Sequence, residues 1–430
     1  RRGTEEQLRN AISTCNSAGV EVIADVVLNH MAGTSGDPTE VKTGYAGSQY
    51  QNLAYPEIPW VESDFHEPCE ITDWMDRDQV RRCQTGTGAD LKTEDAQVRA
   101  TMREQLIEPL LDMGVAGFRV DAAKHMEPED ITDILGGAYA YQEVVTGPNN
   151  AIQPSEYFDV GDITEFDYHG TVAAAFNNNA LGSLKNLKTA LKTPSDIAVV
   201  FVDNHDTERA GWGSLNYEAG DTYYLANVFM LTYGYGRPLL NSSYIDVGAN
   251  DTPPSDAAGK TLDTNCDSEQ WICQHRDERT LAALGLNEVF EDANVTNWAT
   301  LASGRAISFS RGGFGHVIIN NGSTELAVEG VTTDLEPGTY QDVFSGGTFE
   351  VSADKTITTT LAPQTALGTH YLLREGGPTT PPELGDEAAP VTVTFTHSGT
   401  VSYPGEYFVT GNAAALGSWA APQLVGRRAR

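Results

Sequence analysis

The amino-acid sequence predicts an α/β protein built on a parallel (β/α)8-type barrel. Three apolar runs carry this prediction, because each ends in a cluster of Asp, Asn and His: residues 25–30, 117–125 and 201–206. Apolar runs of this length are typical of buried parallel strands. A β/α barrel keeps its active site at the C-terminal ends of its strands. Stretches with helical spacing separate the runs, so strands and helices are expected to alternate.

The alternation extends from the first residues to about residue 293. A helix over residues 4–18, ended by Gly19, precedes a strand over 20–27. Further strands are predicted over 115–120, 138–145, 161–166, 198–203 and 238–241. Helices are predicted over 93–113, from Pro128 onward, and over 171–191, 222–231 and 276–289. We therefore assign residues 1–30 and 93–293 to the barrel.

Residues 31–92 interrupt the alternation. They are rich in Gly, Pro, Asp and Tyr, show little periodicity and are too long for a simple loop, so we expect an inserted small domain. Two close cysteine pairs predict disulfides, and hence a secreted protein: Cys69 with Cys83, and Cys266 with Cys273. Closing a loop of ~15 residues contributes roughly 3 kcal/mol in the chain-entropy model. Cys15 remains as a buried thiol of the first helix.

The C-terminal part has a different pattern. Residues 294–374 alternate short apolar segments with Gly-rich turns and lack helical spacing, which predicts an antiparallel β-sandwich. Residues 375–390 have the composition of a linker. Residues 391–430 start a new β pattern but are too few for an independent β domain, so we expect a truncated module. The chain begins within a βα unit and without Met, so it is expected to be mature or a fragment.

Charge and hydropathy limit the partners. The formal net charge of −33 argues against nucleic acid or an anionic membrane, which both call for a basic face. No apolar run is long enough to span a bilayer. These features predict a neutral ligand, and we expect a monomer. Four triplets also fit the glycosylation pattern, which arises by chance too: those at Asn241, Asn250, Asn294 and Asn321.

The strand-end strings resemble the alpha-amylase family of glycoside hydrolases, and its animal-type members in particular. Four motifs carry the resemblance in order: Asp25–His30, Gly117–His125, Tyr141–Val144 and Phe201–Asp206. It extends from Arg1 to about Leu373 and implies an eight-stranded barrel with an inserted domain and a β-sandwich. The family's first two strands would precede Arg1, so we expect about six strands and an open edge. Val391 to Trp419 resembles the start of a starch-binding module.

The resemblance implies that Asp121 is the nucleophile, Glu143 the general acid/base and Asp206 a carboxylate that binds sugar hydroxyls. Retaining glycoside cleavage requires two carboxyl groups ~5–5.5 Å apart, one ionised and one protonated. Arg119 shares a strand face with Asp121 and favours its ionised form. Apolar and aromatic neighbours are expected to raise the pKa of Glu143.

Other site residues follow from the same strings. His30, His125 and His205 each follow a strand and are expected to form a sugar-binding rim, although a lone His is more often a satisfied structural residue. Lys124 matches a family position that lines the product subsites, and Arg119 is assigned to the same substrate-binding set.

Two ions are implied by the resemblance. Calcium would bind the side chains of Asn29 and Asp90 and the backbone carbonyls of Arg81 and His125, joining the barrel to the inserted domain. The alternative for Asp90 is a carboxylate that caps a helix.

Chloride would bind Arg119, Asn204 and Arg237. The alternative for Arg237 is an ion pair with a carboxylate, because a buried arginine needs an anionic partner.

The sequence thus predicts a secreted alpha-amylase that cleaves α-1,4-glucosidic bonds in starch, glycogen and maltooligosaccharides with retention, using Ca²⁺ and Cl⁻. A related transglycosylase or maltogenic enzyme is one alternative, because the subsite loops decide between water and sugar as the acceptor. An inactive carbohydrate-binding fragment is the other. The missing strands favour that alternative, whereas the intact trio of carboxylates opposes it.

Overall fold

The computed structural model describes residues 3–33, 39–44, 47–51, 53–58, 60–209, 215–245, 253–290 and 293–377. Most of the predicted linker and the whole predicted module over 391–430 lie outside these ranges. Within the described ranges, no helix is long and apolar enough to cross a membrane.

Six parallel strands lie side by side in chain order. They are β1 (Ile23–Val27), β2 (Gly117–Asp121), β3 (Tyr139–Gln142), β4 (Asp162–Thr164), β5 (Ala198–Val200) and β6 (Arg237–Pro238). The register aligns Asp25 with Arg119 and Arg119 with Tyr141, so these side chains fall in one layer on the same face. The predicted barrel is confirmed, with six strands, and β1 and β6 form the two edges of the sheet.

The helices alternate with the strands as predicted. They are α1 (Glu5–Ser17), α2 (Arg77–Arg82), α3 (Ala96–Met102), α4 (Glu108–Asp112), α5 (Pro128–Leu135), α6 (Phe166–Asn177), α7 (Leu187–Ala190), α8 (Asp221–Tyr233) and α9 (Glu278–Phe290). A capping box begins α1, because Thr4 and Gln7 exchange side chain-to-backbone hydrogen bonds.

Two of the predicted helices are interrupted. The helix predicted over 93–113 contains a π-helical turn at Arg103–Ile107 between α3 and α4. This wide turn ends two residues before Pro109, which has no N–H to donate to the helix. The helix predicted over 171–191 is wrong as a single element. It ends at Asn177, and Asn179 adopts a left-handed φ of 52°, which asparagine tolerates better than most residues.

The inserted segment contains short antiparallel pairs. His30–Met31 pairs with Ala89–Asp90, and Lys42–Thr43 pairs with Gln49–Tyr50. Both predicted disulfides are present, Cys69–Cys83 in this segment and Cys266–Cys273 near the end of the barrel. Cys15 is free, as expected, but it is half-buried rather than buried.

The C-terminal strands form two antiparallel sheets of four strands each. They are β7 (Val295–Leu301), β8 (Ala306–Arg311), β9 (Gly315–Asn320), β10 (Leu326–Thr332), β11 (Gly338–Gln341), β12 (Thr348–Val351), β13 (Thr356–Leu361) and β14 (Thr365–His370). The strand orders are β7-β8-β9-β14 and β10-β13-β12-β11. The predicted all-β domain is therefore confirmed.

Arg311 joins this β domain to the barrel. It is 1% exposed and donates to the carbonyls of Ala293 and Thr232 at 2.7 Å each, with its guanidinium over the ring of Phe290. Gly234 ends α8 with a φ of +75°, and a Cβ there would lie 2.4 Å from the guanidinium. The arginine therefore requires glycine at the end of this helix.

Replacing Arg311 by Met should lower the free energy of unfolding by about 2–4 kcal/mol, because two buried carbonyls lose their donors. Chemical denaturation measures the change. The matched control is Arg305→Met, since Arg305 is an exposed arginine of the same domain. Equal effects of the two substitutions would contradict the assigned role of Arg311.

Candidate functional site

Arg119 lies at the centre of a cluster of three carboxylates. On β2 it projects to the same face as Asp121, as the two-residue spacing predicts. Its Nη1 is 2.8 Å from Asp25 and 2.7 Å from Asp121, and its Nη2 is 2.6 Å from Glu143. One planar guanidinium therefore holds side chains from β1, from β2 and from the residue that follows β3.

Burial distinguishes the two predicted catalytic carboxyl groups. The side chain of Glu143 is 9% exposed and that of Asp121 is 24% exposed, although both contact Arg119. Burial raises the pKa of Glu143, and the charges of Asp121 and Asp206 add to this, whereas Arg119 and the N–H of Ala122 oppose it. The expected direction of the shift is correct, and burial rather than the arginine separates the two groups.

A tight turn after β2 fixes Glu143. Ala122 adopts a left-handed conformation (φ 49°, ψ 33°), which is uncommon for a residue other than glycine. Its N–H donates to Oε2 of Glu143 at 2.9 Å. The backbone of Glu143 also bonds to Val120 and Ala123. The acid is therefore held from its backbone and from both carboxyl oxygens.

Asp206 lies on the loop that follows β5. Oδ1 of Asn204 accepts from the N–H groups of Asp206 and Thr207, at 3.0 and 2.8 Å. His205 is about half exposed, with Nε2 3.5 Å from the Asp206 carboxylate. The charge of Asp206 acts on Glu143, so the loop brings the third predicted carboxylate into the electrostatic range of the site.

The other predicted sugar-binding residues differ in exposure. Lys124 donates to the carbonyl of Val145 at 2.8 Å, and its Nζ lies 4.3 Å from the ring centre of Trp74. His125 is 3% exposed, and burial lowers its pKa to about 4, so the ring is neutral at neutral pH. The ring of His30 is half-buried and packs on Gly88, where a Cβ would lie 2.6 Å away. Of the three histidines, His205 alone presents an exposed ring.

The oxygen ligands predicted for calcium come together at the junction with the inserted segment. Asn29 and Asp90 are 1% and 2% exposed, and Nδ2 of Asn29 donates to Oδ1 of Asp90 at 3.0 Å. Oδ1 of Asn29 is buried and has no hydrogen-bond partner in the described part of the chain. Nδ1 of His125 bonds to the carbonyl of Val80, so the His125 ring contacts the residue before Arg81.

This arrangement fits a hard cation. An unpartnered buried amide oxygen next to a buried carboxylate is costly without a ligand, and calcium accepts amide, carboxylate and carbonyl oxygens together. The described residues contain no metal-binding group of three or more His, Cys, Asp or Glu side chains. The predicted calcium site does not require such a group, because Asp90 supplies its one carboxylate and the other ligands are amide and carbonyl oxygens.

The three residues predicted to bind chloride have protein partners in the described part of the chain. Arg237 has a 62% exposed side chain, lies 3.3 Å from Asp162 and hydrogen-bonds to Tyr139. Arg119 has three carboxylate partners of its own. Oδ1 of Asn204 accepts two N–H groups within its turn, whereas an anion would be bound by the Nδ2 group. The ion pair with Asp162 is the alternative considered for Arg237 in the sequence analysis, and the chloride site stays a prediction. Arg237 lies on the edge strand β6 at the level of Val199.

Comparison with known proteins identifies the family to which this chain belongs. The family model of the alpha-amylase catalytic domain matches residues 1–180, and that of the alpha-amylase C-terminal all-beta domain matches residues 298–371. The chain is 35% identical over 452 aligned positions to an alpha-amylase from Thermomonospora curvata, covering 99% of this chain and 73% of that protein. This chain belongs to the alpha-amylase family of glycoside hydrolases.

Other members of the family are similar to this chain in sequence and in structure. An alpha-amylase-related protein from Drosophila teissieri is 36% identical over 376 positions, covering 82% of this chain and 75% of that protein. The crystal structure of alpha-amylase I from Eisenia fetida superposes with a TM-score of 0.79 at 31% identity, covering 86% and 84% of the two chains. A variant of that enzyme in complex with maltohexaose superposes with a TM-score of 0.78 at 30% identity. The animal-type resemblance is therefore confirmed.

Sequence analysis missed two residues of this alpha-amylase family site. Asp25 is the third carboxylate on Arg119, and the only sequence signal was its place at the start of the first strand-end string. Trp74 belongs to the inserted segment, is 41% exposed and contacts both Lys124 and His125. No spacing rule connects it to residues 50 positions later.

Replacing Arg119 by Leu should destabilise the protein more at pH 7 than at pH 4.5. Removing one partner of a buried ion pair costs about 3–5 kcal/mol while the remaining carboxylates are charged. Without the cation, the pKa of buried Glu143 should rise further in the folded state, so folding favours its protonated form. Stability is then lost as the pH rises through that folded-state pKa.

Urea denaturation of both variants at the two pH values measures this difference. Arg237→Leu is the matched control, because Arg237 is an exposed arginine with a carboxylate partner and should cost less than about 1 kcal/mol. A loss for Arg119→Leu that is equal at pH 4.5 and pH 7 would show that the carboxylates do not depend on this cation.

Proposed function

We propose that this protein is a secreted alpha-amylase that hydrolyses α-1,4-glucosidic bonds in starch, glycogen and maltooligosaccharides with retention of configuration. The observation that carries the proposal is the pair Asp121 and Glu143 on one guanidinium, the first 24% exposed and the second 9% exposed. The relatives named alpha-amylase and the maltohexaose complex of the Eisenia fetida variant support the substrate class. The two disulfides support secretion.

The chemistry divides between the two carboxyl groups. The carboxylate of Asp121, which contacts Arg119, attacks the anomeric carbon and forms a covalent glycosyl intermediate. Glu143, whose pKa is raised by burial, donates its proton to the leaving glycosidic oxygen. Glu143 then removes a proton from the water that hydrolyses the intermediate. Two inversions at the same carbon give net retention.

The remaining residues hold the sugar. Asp206, on its exposed loop, is positioned to accept hydrogen bonds from sugar hydroxyls, and His205 presents a ring beside it. Lys124 provides a cation next to the exposed ring of Trp74, which offers a stacking surface for a sugar. We assign His30 and His125 to the same substrate-binding set, although their rings are less exposed than that of His205.

Calcium would be held by the side chains of Asn29 and Asp90 and the carbonyls of Arg81 and His125. When bound, it supplies an electrostatic cross-link between barrel and inserted segment. Asn29 follows β1, whereas Asp90 closes the insert, so the residues themselves already join the two parts. Chloride bound by Arg119, Asn204 and Arg237 stays a prediction, and the ion pair of Arg237 with Asp162 is its alternative.

Product analysis on soluble starch tests the proposed function. Linear maltooligosaccharides whose new reducing ends first appear in the α configuration by NMR are the expected result. Cyclic or branched products would assign the chain to the transglycosylases instead. Binding of starch without any product would leave only a carbohydrate-binding role.

Replacing Asp121 by Asn should lower kcat on starch by at least about a thousandfold, roughly 4 kcal/mol of activation free energy, because the amide cannot attack carbon. Maltohexaose binding, measured by calorimetry, should stay near that of the parent. Asp112→Asn is the control, since Asp112 is an exposed carboxylate at the end of α4. Retention of more than a few per cent of kcat in Asp121→Asn would exclude Asp121 as the nucleophile.

Chelation by EDTA should lower the Tm and abolish activity together, and added Ca²⁺ should restore both. The physical reason is that the buried oxygens of Asn29 and Asp90 lose their shared cation. Asp90→Asn should remove the calcium-dependent rise in Tm, whereas Glu57→Gln, at an exposed acid of the insert, should keep it. A Tm that does not respond to EDTA would show that these residues do not bind calcium.

A further inference from the structure

The loop that carries Asp206 has few contacts of its own at its tip. The Asp206 side chain is 46% exposed, and its recorded ionic contact is His205 at 3.5 Å. Within the loop, the Asn204 side chain and the bond from the Glu208 N–H to the Asn204 carbonyl, at 2.9 Å, make one compact turn. The position of Asp206 therefore depends on how the two ends of this turn are attached to the barrel.

Both ends carry an acid that points into the protein. Asp203, before the turn, is 1% exposed and accepts from the Tyr223 hydroxyl of α8 at 2.8 Å. Glu208, after the turn, is half-buried and accepts from the Ser243 hydroxyl. Ser243 is fixed in turn by Gln274, whose Oε1 accepts from its N–H at 2.9 Å.

A single amide nitrogen connects the two acids. Nδ2 of Asn241 donates to Oε2 of Glu208 at 2.9 Å and lies 3.4 Å from Oδ2 of Asp203. Asn241 follows β6, so it approaches the turn from a different part of the barrel. The nitrogen also lies 3.2 Å from Oγ of Ser243, so its two hydrogens serve three acceptors, and these include the acids at both ends of the turn.

The two acids depend on neutral donors. The described ion pairs include none to Asp203 or Glu208, and burial raises the pKa of Asp203 to about 7 and also raises that of Glu208. The charges of Arg209 and His205 act on Glu208 to lower its pKa, and the charge of Glu208 helps to raise that of Asp203. Hydroxyl and amide donors therefore satisfy this pair, and a missing donor leaves a buried acceptor without a partner.

We propose that Asn241 is a positioning residue that clamps Asp203 to Glu208 and thereby sets the place of Asp206 against the bound sugar. The inference rests on the proposed function, because it takes Asp206 as a sugar-binding carboxylate. The triplet Asn241-Ser242-Ser243 fits the glycosylation pattern, but in this proposal Asn241 and Ser243 serve as hydrogen-bond donors to Glu208. A glycan on this nitrogen would replace one of the two hydrogens that the clamp uses.

A double-mutant cycle tests the clamp with the full chain and maltohexaose. Asn241→Leu keeps the approximate size of the side chain and removes both donors. We expect kcat to fall about tenfold to a hundredfold, with KM changed less than about threefold, because a displaced catalytic group loses rate. In the Asp206→Asn background the same substitution should change kcat less than about twofold, because its effect passes through Asp206.

Equal losses in both backgrounds, or no loss in either, would overturn the proposal. The matched control is Asn321→Leu, because Asn321 is a buried asparagine whose amide donates to Phe176 and Asn179 and should affect Tm but not kcat. Tyr223→Phe removes only one hydroxyl and replaces Asn241→Leu in the cycle if the latter fails to fold.

The activity of the parent enzyme on starch distinguishes a failure of the proposed function from a failure of the clamp. A parent that releases no sugar from starch contradicts the proposed function, and the cycle is then measured as maltohexaose affinity by calorimetry. Weaker binding of Asn241→Leu in the parent background alone supports the clamp, whereas equal weakening in both backgrounds overturns it.

Discussion

The guanidinium of Arg119 is the contact on which the site depends. Three carboxylates from three neighbouring positions of the sheet meet it within 2.8 Å. Without this cation, the same face would bring together negative charges that repel each other in a partly buried place. The register that aligns Asp25 with Arg119 is therefore an electrostatic requirement as well as a result of strand pairing.

The division of labour between Asp121 and Glu143 has a different origin. Both contact the same arginine, so the cation alone cannot make one a nucleophile and the other an acid. The difference lies in solvent access and in the turn at Ala122, which covers Glu143 and leaves Asp121 more open. The left-handed backbone at Ala122 is thus strain stored where it shapes the reacting groups.

Sequence reasoning identified what is local to the strand-end strings. The spacing of Arg119 and Asp121 defines a shared face, and the apolar runs define the strands, so the barrel and the central arginine contact were predictable. The partner of Arg237 was left open between chloride and a carboxylate, because Arg237 lies on the edge strand β6, whose neighbours no short string describes. Trp74 and Asn241 were missed for the same reason, since each reaches the site from a distant segment.

The contact between Arg311 and the end of α8 limits how the β domain can be exchanged between related proteins. One hydrophobic cluster contains Phe229 and Phe290 from the barrel helices together with Phe309 and Val317 from the β domain. A recombination point at residue 293 would divide this cluster and separate Arg311 from the carbonyls that it binds. A chimera with the β domain of another protein would therefore also need α8 and α9 of that protein. The segment that has to be exchanged as a whole is larger than the β-sandwich alone.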